Sequence, residues 1–205
     1  ISTGAATKLA EMRYNYSGLK QVFELEENAY LEYLPEPTIP CRHTRFIADT
    51  AIRIAPSATL FYSEVYMSGR KYFDGGETFQ YDILSVCSHA ERPDGEQLFR
   101  EKFIIRPGAC PPGTLGAMNG YDVFANVIVM TPPEHADRIY EATPAFIDRD
   151  RRLAAGITRL PNDAGLLYKV LGEETGPVKK LIREFCSSVR LEVKGRPLPE
   201  EFPWR

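Results

Sequence analysis

The sequence predicts a mainly β protein with attached α-structure. A β-helix-like or antiparallel β body covers residues 1–130, and a small helix-hairpin-helix region with a proline-rich tail covers 131–205. Three observations lead there. Up to Met130, polar and apolar residues alternate in runs rich in Tyr, Phe, Ile and Thr, and a period of two is the mark of strands. Turn chemistry separates these runs at Asn28 (EENA), Pro56 (APSA), Asp74 (FDGG), Asp94 (RPDG) and Pro111 (PPG). After Thr131 the apolar spacing becomes helical.

Taken in order, ISTGAATKLAEMRYNYSG opens the chain in polar, strand-like sequence without an initiator methionine, as a fragment would. TLFYSEVYM carries Leu60, Tyr62, Glu64 and Tyr66 on one side and Phe61, Val65 and Met67 on the other. That pattern predicts an interior strand covered on both faces. ERPDGE joins DILSVCSHA to QLFREKFII, with Pro-Asp-Gly supplying a fixed φ and then a permissive one, so these two strands should pair as a hairpin. In TPPEHADRIYEATPAFID the prolines suit a first helical turn, and Ala136, Ile139 and Tyr140 recur at helical spacing. RRLAAGITRLPNDAGLLYKVLGE reads as strand, tight turn at residues 162–165, and strand. GPVKKLIREFCSSVRLEVKG reads as a helix from near Pro177 with Val178, Leu181, Ile182, Phe185 and Val189 on one face. The tail GRPLPEEFPWR is extended and punctuated by proline, and no internal repeat of fixed period occurs.

Twenty-five basic residues against 28 acidic ones leave a net charge of -3, which is not the electrostatic footprint of a protein that binds nucleic acid or an acidic membrane. A protein partner or a small ligand is the expectation. No apolar run of about 18 residues exists to span a bilayer, and no basic segment followed by an apolar run opens the chain. Cys41, Cys87, Cys110 and Cys186 lie far apart, unlike a disulfide framework, which predicts a reducing cytoplasm.

None of the common catalytic or phosphate-binding signatures is present: no GxxxxGK[ST], GxGxxG, HExxH, CxxC or GxSxG. Two C-x-H pairs, Cys41 with His43 and Cys87 with His89, would suit a tetrahedral metal site if their strands were neighbours. The plainer reading is small buried cysteines with histidines near strand ends or turns. Two carboxylates are less ordinary. Glu101 falls between Phe99 and Phe103 on one side of LFREKFII, and Glu64 sits among Leu60, Tyr62 and Tyr66. A buried carboxylate without a partner is costly, so each must be paired, protonated or facing a polar cavity. Arg53, Arg70 and Arg106 are the candidate ion-pair partners.

TGAATK, NAYLEYLPEPTI, SGRKYFDGGETF and DGEQLFREKF, in this order and spacing, resemble the UreD (UreH) family of urease accessory proteins, and the similarity runs on to KGRPLPEEFPWR. The family's N-terminal third has no counterpart in this chain. The resemblance implies a β-helix-like body with helical regions attached, which binds apo-urease and recruits a helical accessory protein, UreF, and a nickel-carrying GTPase, UreG. It also implies an internal wet tunnel that passes nickel, transiently and without stable binding, to urease. Along the matched motifs Glu64 and Glu101 occupy tunnel-carboxylate positions and Thr7 a hydroxyl position of the tunnel wall. The protein is then not an enzyme. Two alternatives stand beside this reading: a passive scaffold whose glutamates are structural, and a β-helical polysaccharide hydrolase or lyase using Glu64 and Glu101 as acid and base.

Overall fold

A computed structural model describes residues 1–114 and 117–199; the last part of the predicted tail, 200–205, lies outside the described residues. Among the described residues there are twelve strands: β1 (Thr7–Leu9), β2 (Ser17–Leu25), β3 (Tyr30–Tyr33), β4 (Thr38–Pro40), β5 (Arg45–Ile54), β6 (Thr59–Met67), β7 (Ile83–Glu91), β8 (Gln97–Ile105), β9 (Val123–Met130), β10 (Phe146–Asp148), β11 (Leu153–Arg159) and β12 (Leu166–Gly172). Two α-helices, α1 (Pro133–Glu141) and α2 (Thr175–Lys194), and a short 3-10 helix at Pro161–Asp163 complete the described fold. The mainly β class with a small helical region is therefore correct.

The strands form two sheets. The larger has the order β1-β4-β6-β9-β12-β11-β10 with β3 also on β6, and the smaller has the order β2-β5-β7-β8. Pairing in the body is mixed where antiparallel strands were one expectation: β2·β5, β5·β7, β3·β6, β4·β6 and β1·β4 are parallel. The chain crosses between the sheets, so that a strand returns beside an earlier one in the same direction. Parallel and antiparallel strands share the same side-chain period of two, so alternation cannot distinguish them. Ser17 pairs with Phe46 but Arg45 with Ile83; these unequal steps along the chain explain why no repeat of fixed period is visible. The ERPDGE hairpin forms as expected, β7 against β8 antiparallel.

The larger sheet is the middle layer. On one face Phe61, Val65, Val127 and Tyr168 pack against Val178, Ile182, Phe185 and Val189 of α2 and Ala136 and Ile139 of α1. The predicted apolar stripe of α2 is the one buried, with Cys186 added and Leu181 half-buried beside it. Gly195, at φ 69°, ends the helix by donating its N–H to the Leu191 carbonyl, the left-handed termination that glycine makes cheap. On the other face the larger sheet meets the smaller one, which explains why Leu60 through Tyr66 are all buried. β12, beyond Met130, pairs with β9 along its whole length, from Leu166 opposite Val129 to Gly172 opposite Val123.

Candidate functional site

The space between the sheets is apolar at both ends and polar across the middle. At one end Phe23, Ile52, Leu60, Tyr62, Phe99 and Ile128 form a cluster. At the other Phe46, Tyr66, Leu84, Val86, Phe103 and Phe124 form a second. Between them the register lines up polar residues, because residues directly opposite in a ladder share a face. On the smaller sheet Gln21 lies opposite Thr50, Thr50 opposite Ser88, and Ser88 opposite Glu101. On the larger sheet Glu64 lies opposite Asn126, and Asn126 opposite Lys169. Each sheet thus contributes one polar row to a belt that crosses the core.

Hydrogen bonds tie the rows together. Tyr62 donates to Glu64 Oε1 at 2.6 Å and Tyr66 to the same oxygen at 3.0 Å. The Tyr62 hydroxyl also meets Thr50 Oγ1 at 3.1 Å and lies 3.4 Å from Gln21 Oε1, while Gln21 Nε2 donates to the Tyr33 hydroxyl at 2.9 Å. At the other side of the belt the Lys169 ammonium donates to Glu101 Oε1.

Glu64 is 8% exposed and has no cationic partner among the described residues. Burial raises the pKa of its carboxyl, the two phenolic hydrogen bonds pull it back down, and the Glu101 charge pushes it up again. Burial, together with the Glu64 charge, raises the hydroxyls of Tyr62 and Tyr66 well above the usual phenol range, so both stay protonated and donate. None of the three arginines expected as partners meets either carboxylate among the described residues. Arg53 pairs with Glu91 at 2.9 Å and Arg70 grips Glu77 with two hydrogen bonds of 2.6 Å. Arg106 lines a cavity of about 860 Å³ with Arg42, His43, Arg45, Tyr81 and Asp82, at the starts of β5 and β7 and the end of β8. Neither Glu64 nor Glu101 lines that cavity.

Thr7 is exposed on β1, where its N–H donates to the Pro37 carbonyl at 3.0 Å. The register carries it through Thr38 to Tyr66, two strands from the belt's tyrosine but not into its hydrogen bonds. The C-x-H residues lie outside the belt. Cys41 and His43 belong to a turn after β4 and not to a strand, with His43 at φ 57° and its Nδ1 3.2 Å from Asp82 Oδ1. Cys87 and His89 alternate with Ser88 on β7, and His89 Nε2 sits 3.7 Å from Asp49 Oδ1. Among the described residues no group of three or more His, Cys, Asp or Glu is placed to hold a metal ion. What the belt does offer is carboxylate, amide and hydroxyl oxygen, a hard donor set that binds a first-row divalent ion less tightly than thiolate or imidazole.

Gln21, Thr50, Ser88, Asn126 and Lys169 were not singled out from sequence, although each carried the signal that marked Glu101: a polar residue at an inward position of an alternating strand. What was missing was the register that aligns them.

The model of the family described as UreD urease accessory protein matches residues 1–205. The chain belongs to the UreD family. Among relatives, Urease accessory protein UreD 2 of Brucella suis biovar 1 (strain 1330) is 48% identical over 204 residues, which cover 100% of this chain and 68% of that protein. Urease accessory protein UreD of Yersinia enterocolitica is 46% identical over 211 residues, covering 100% of this chain and 65% of that protein. The UreD chain described here thus spans about two thirds of the length of these relatives. Among its described residues no helix is long and apolar enough to cross a membrane.

Proposed function

We propose that this UreD-family protein serves urease maturation as a scaffold and nickel conduit: it binds apo-urease and passes Ni2+ along its inter-sheet belt from a metal-carrying GTPase. The partners in this reading are apo-urease, the helical accessory protein UreF and the GTPase UreG, with no nucleic acid and no membrane. The site is cytoplasmic, in keeping with four free cysteines.

One observation carries the proposal. Seven polar side chains in two register-aligned rows cross a core that is apolar on both sides of them. Burying polar groups costs stability unless they are satisfied, and a core built for stability alone is simpler without them. A conduit needs them, because an ion that sheds water must find replacement oxygens along its way. Spaced carboxylates lower the barrier for a cation without trapping it. The two phenols on Glu64 compete with the cation for the same oxygen and keep its hold weak.

The test is co-expression of the full-length protein with apo-urease and the other accessory proteins, followed by measurement of nickel per urease for wild type and for Glu64→Ala with Glu101→Ala. A normal complex with little nickel delivered is the expected result. Full delivery by the double variant leaves a scaffold. That second reading draws on one fact: both carboxylates already have partners within the chain.

A further inference from the structure

The belt is not closed equally at its two sides. Asn126 is 6% exposed and Glu64 8%, while one register position further on the Lys169 side chain is 53% exposed and that of Glu101, its ion-pair partner, 24%. The belt therefore reaches solvent between β12 and β8, the strands that carry Lys169 and Glu101. Leu167 is part of the apolar cluster on one side of this opening, and Phe103 packs on the other.

We propose that Lys169 is a displaceable counter-ion at this mouth: its ammonium holds the Glu101 carboxylate until a divalent cation takes its place, and it lowers the belt's affinity for that cation. The inference rests on the nickel-conduit reading and assigns the residue that sets how tightly the ion is held at its open end.

Four features support it. The ammonium occupies the carboxylate oxygen that an entering cation needs, and one oxygen cannot serve both fully. Lys169 is the one positively charged member of the two rows, so the chain places a cation where the conduit reading requires one to arrive. Its charge also offsets the field of two carboxylates close enough for Glu101 to raise the proton affinity of Glu64. The flexible stem of lysine lets the ammonium swing out into water, and an ion pair this exposed is weak. An arginine would clamp the carboxylate with two parallel bonds and yield less readily.

Ni2+ binding to the purified full-length protein, measured by equilibrium dialysis for wild type, Lys169→Met, Lys169→Arg and Glu101→Gln, tests this. Lys169→Met should bind Ni2+ roughly two- to fivefold more tightly than wild type, the range an exposed ion pair supports. Lys169→Arg should bind it more weakly than wild type. In a Glu101→Gln background the three should converge on one weak affinity. If Glu101→Gln weakens binding while Lys169→Met leaves it unchanged or weaker, the counter-ion role is overturned and the conduit stands. If Glu101→Gln leaves Ni2+ binding unaltered, the conduit reading fails and takes the counter-ion role with it. Lys169→Gln replaces the methionine variant if that one does not fold, with the same expected gain.

Discussion

Tyr62 donates its phenolic hydrogen to Glu64 Oε1 over 2.6 Å, from a position two residues earlier on the same strand and the same face. A strand brings such a pair together only when both side chains lean along it, and here the second tyrosine, Tyr66, reaches back to the same oxygen from the other side at 3.0 Å. One carboxylate oxygen thus has two neutral donors and, among the described residues, no cation, inside a buried part of the core.

Glu64→Gln should make the protein's stability less dependent on pH. Burial is the first cause that raises the Glu64 pKa, so the folded state binds this proton more readily than the unfolded chain does. Stability from this group is fully present below the ordinary carboxylate range and is lost as pH rises through the raised native pKa. Tm measured from pH 4 to 8 should therefore fall less steeply for the variant than for wild type, with the largest gain at the neutral end. A parallel shift of the whole curve would refute the assignment.

Tyr62→Phe should destabilise the fold by about 1–3 kcal/mol, since it removes a hydrogen bond to a buried carboxyl and strips partners from Thr50 and Gln21. Urea unfolding measures it. Tyr66→Phe should cost less, since among the described residues the Tyr66 hydroxyl bonds to Glu64 alone. Equal costs would mean that the belt is not a connected network.

Glu77 should show the opposite pH behaviour from Glu64. It is 3% exposed, and two Arg70 hydrogen bonds of 2.6 Å, with the Arg42 N–H at 3.3 Å, hold its carboxyl below the usual range. A lowered native pKa contributes stability above the unfolded value and loses it as pH falls through the native one. Glu77→Gln should lower Tm by several degrees at pH 7 and approach wild type in acid. A difference that grows in acid would contradict this.

Gly165→Ala should cost about 2–4 kcal/mol. The residue sits at φ 129°, in the tight turn between β11 and β12, and an added Cβ would come to 2.0 Å from the Val129 carbonyl oxygen. Denaturant titration with an unchanged m-value would show that the native fold is retained while strained.

Much of the architecture was legible because it follows from local periods. The two-residue alternation of LFREKFII placed Glu101 on the face with Phe99 and Phe103, which is where it lies. The spacing of Val178, Ile182, Phe185 and Val189 identified the buried side of α2. Turn chemistry at ERPDGE and at residues 162–165 marked two reversals that the chain makes. The parallel pairings were not legible, because strands far apart in the chain keep the same alternation whichever way their partners run.

The sequence by itself determined which side of α2 is buried and that β6 is covered on both faces, that two carboxylates break an apolar face, and, through its motifs, the family. Only the tertiary structure decided that Glu64 is met by two tyrosines and Glu101 by Lys169, and that Gln21, Thr50, Ser88 and Asn126 stand in line with them. The reason is physical. A side chain's face depends on backbone geometry over a few residues, whereas its neighbour across a sheet depends on a register set by packing of the whole core, and a slip of one residue would turn each polar row to the opposite face.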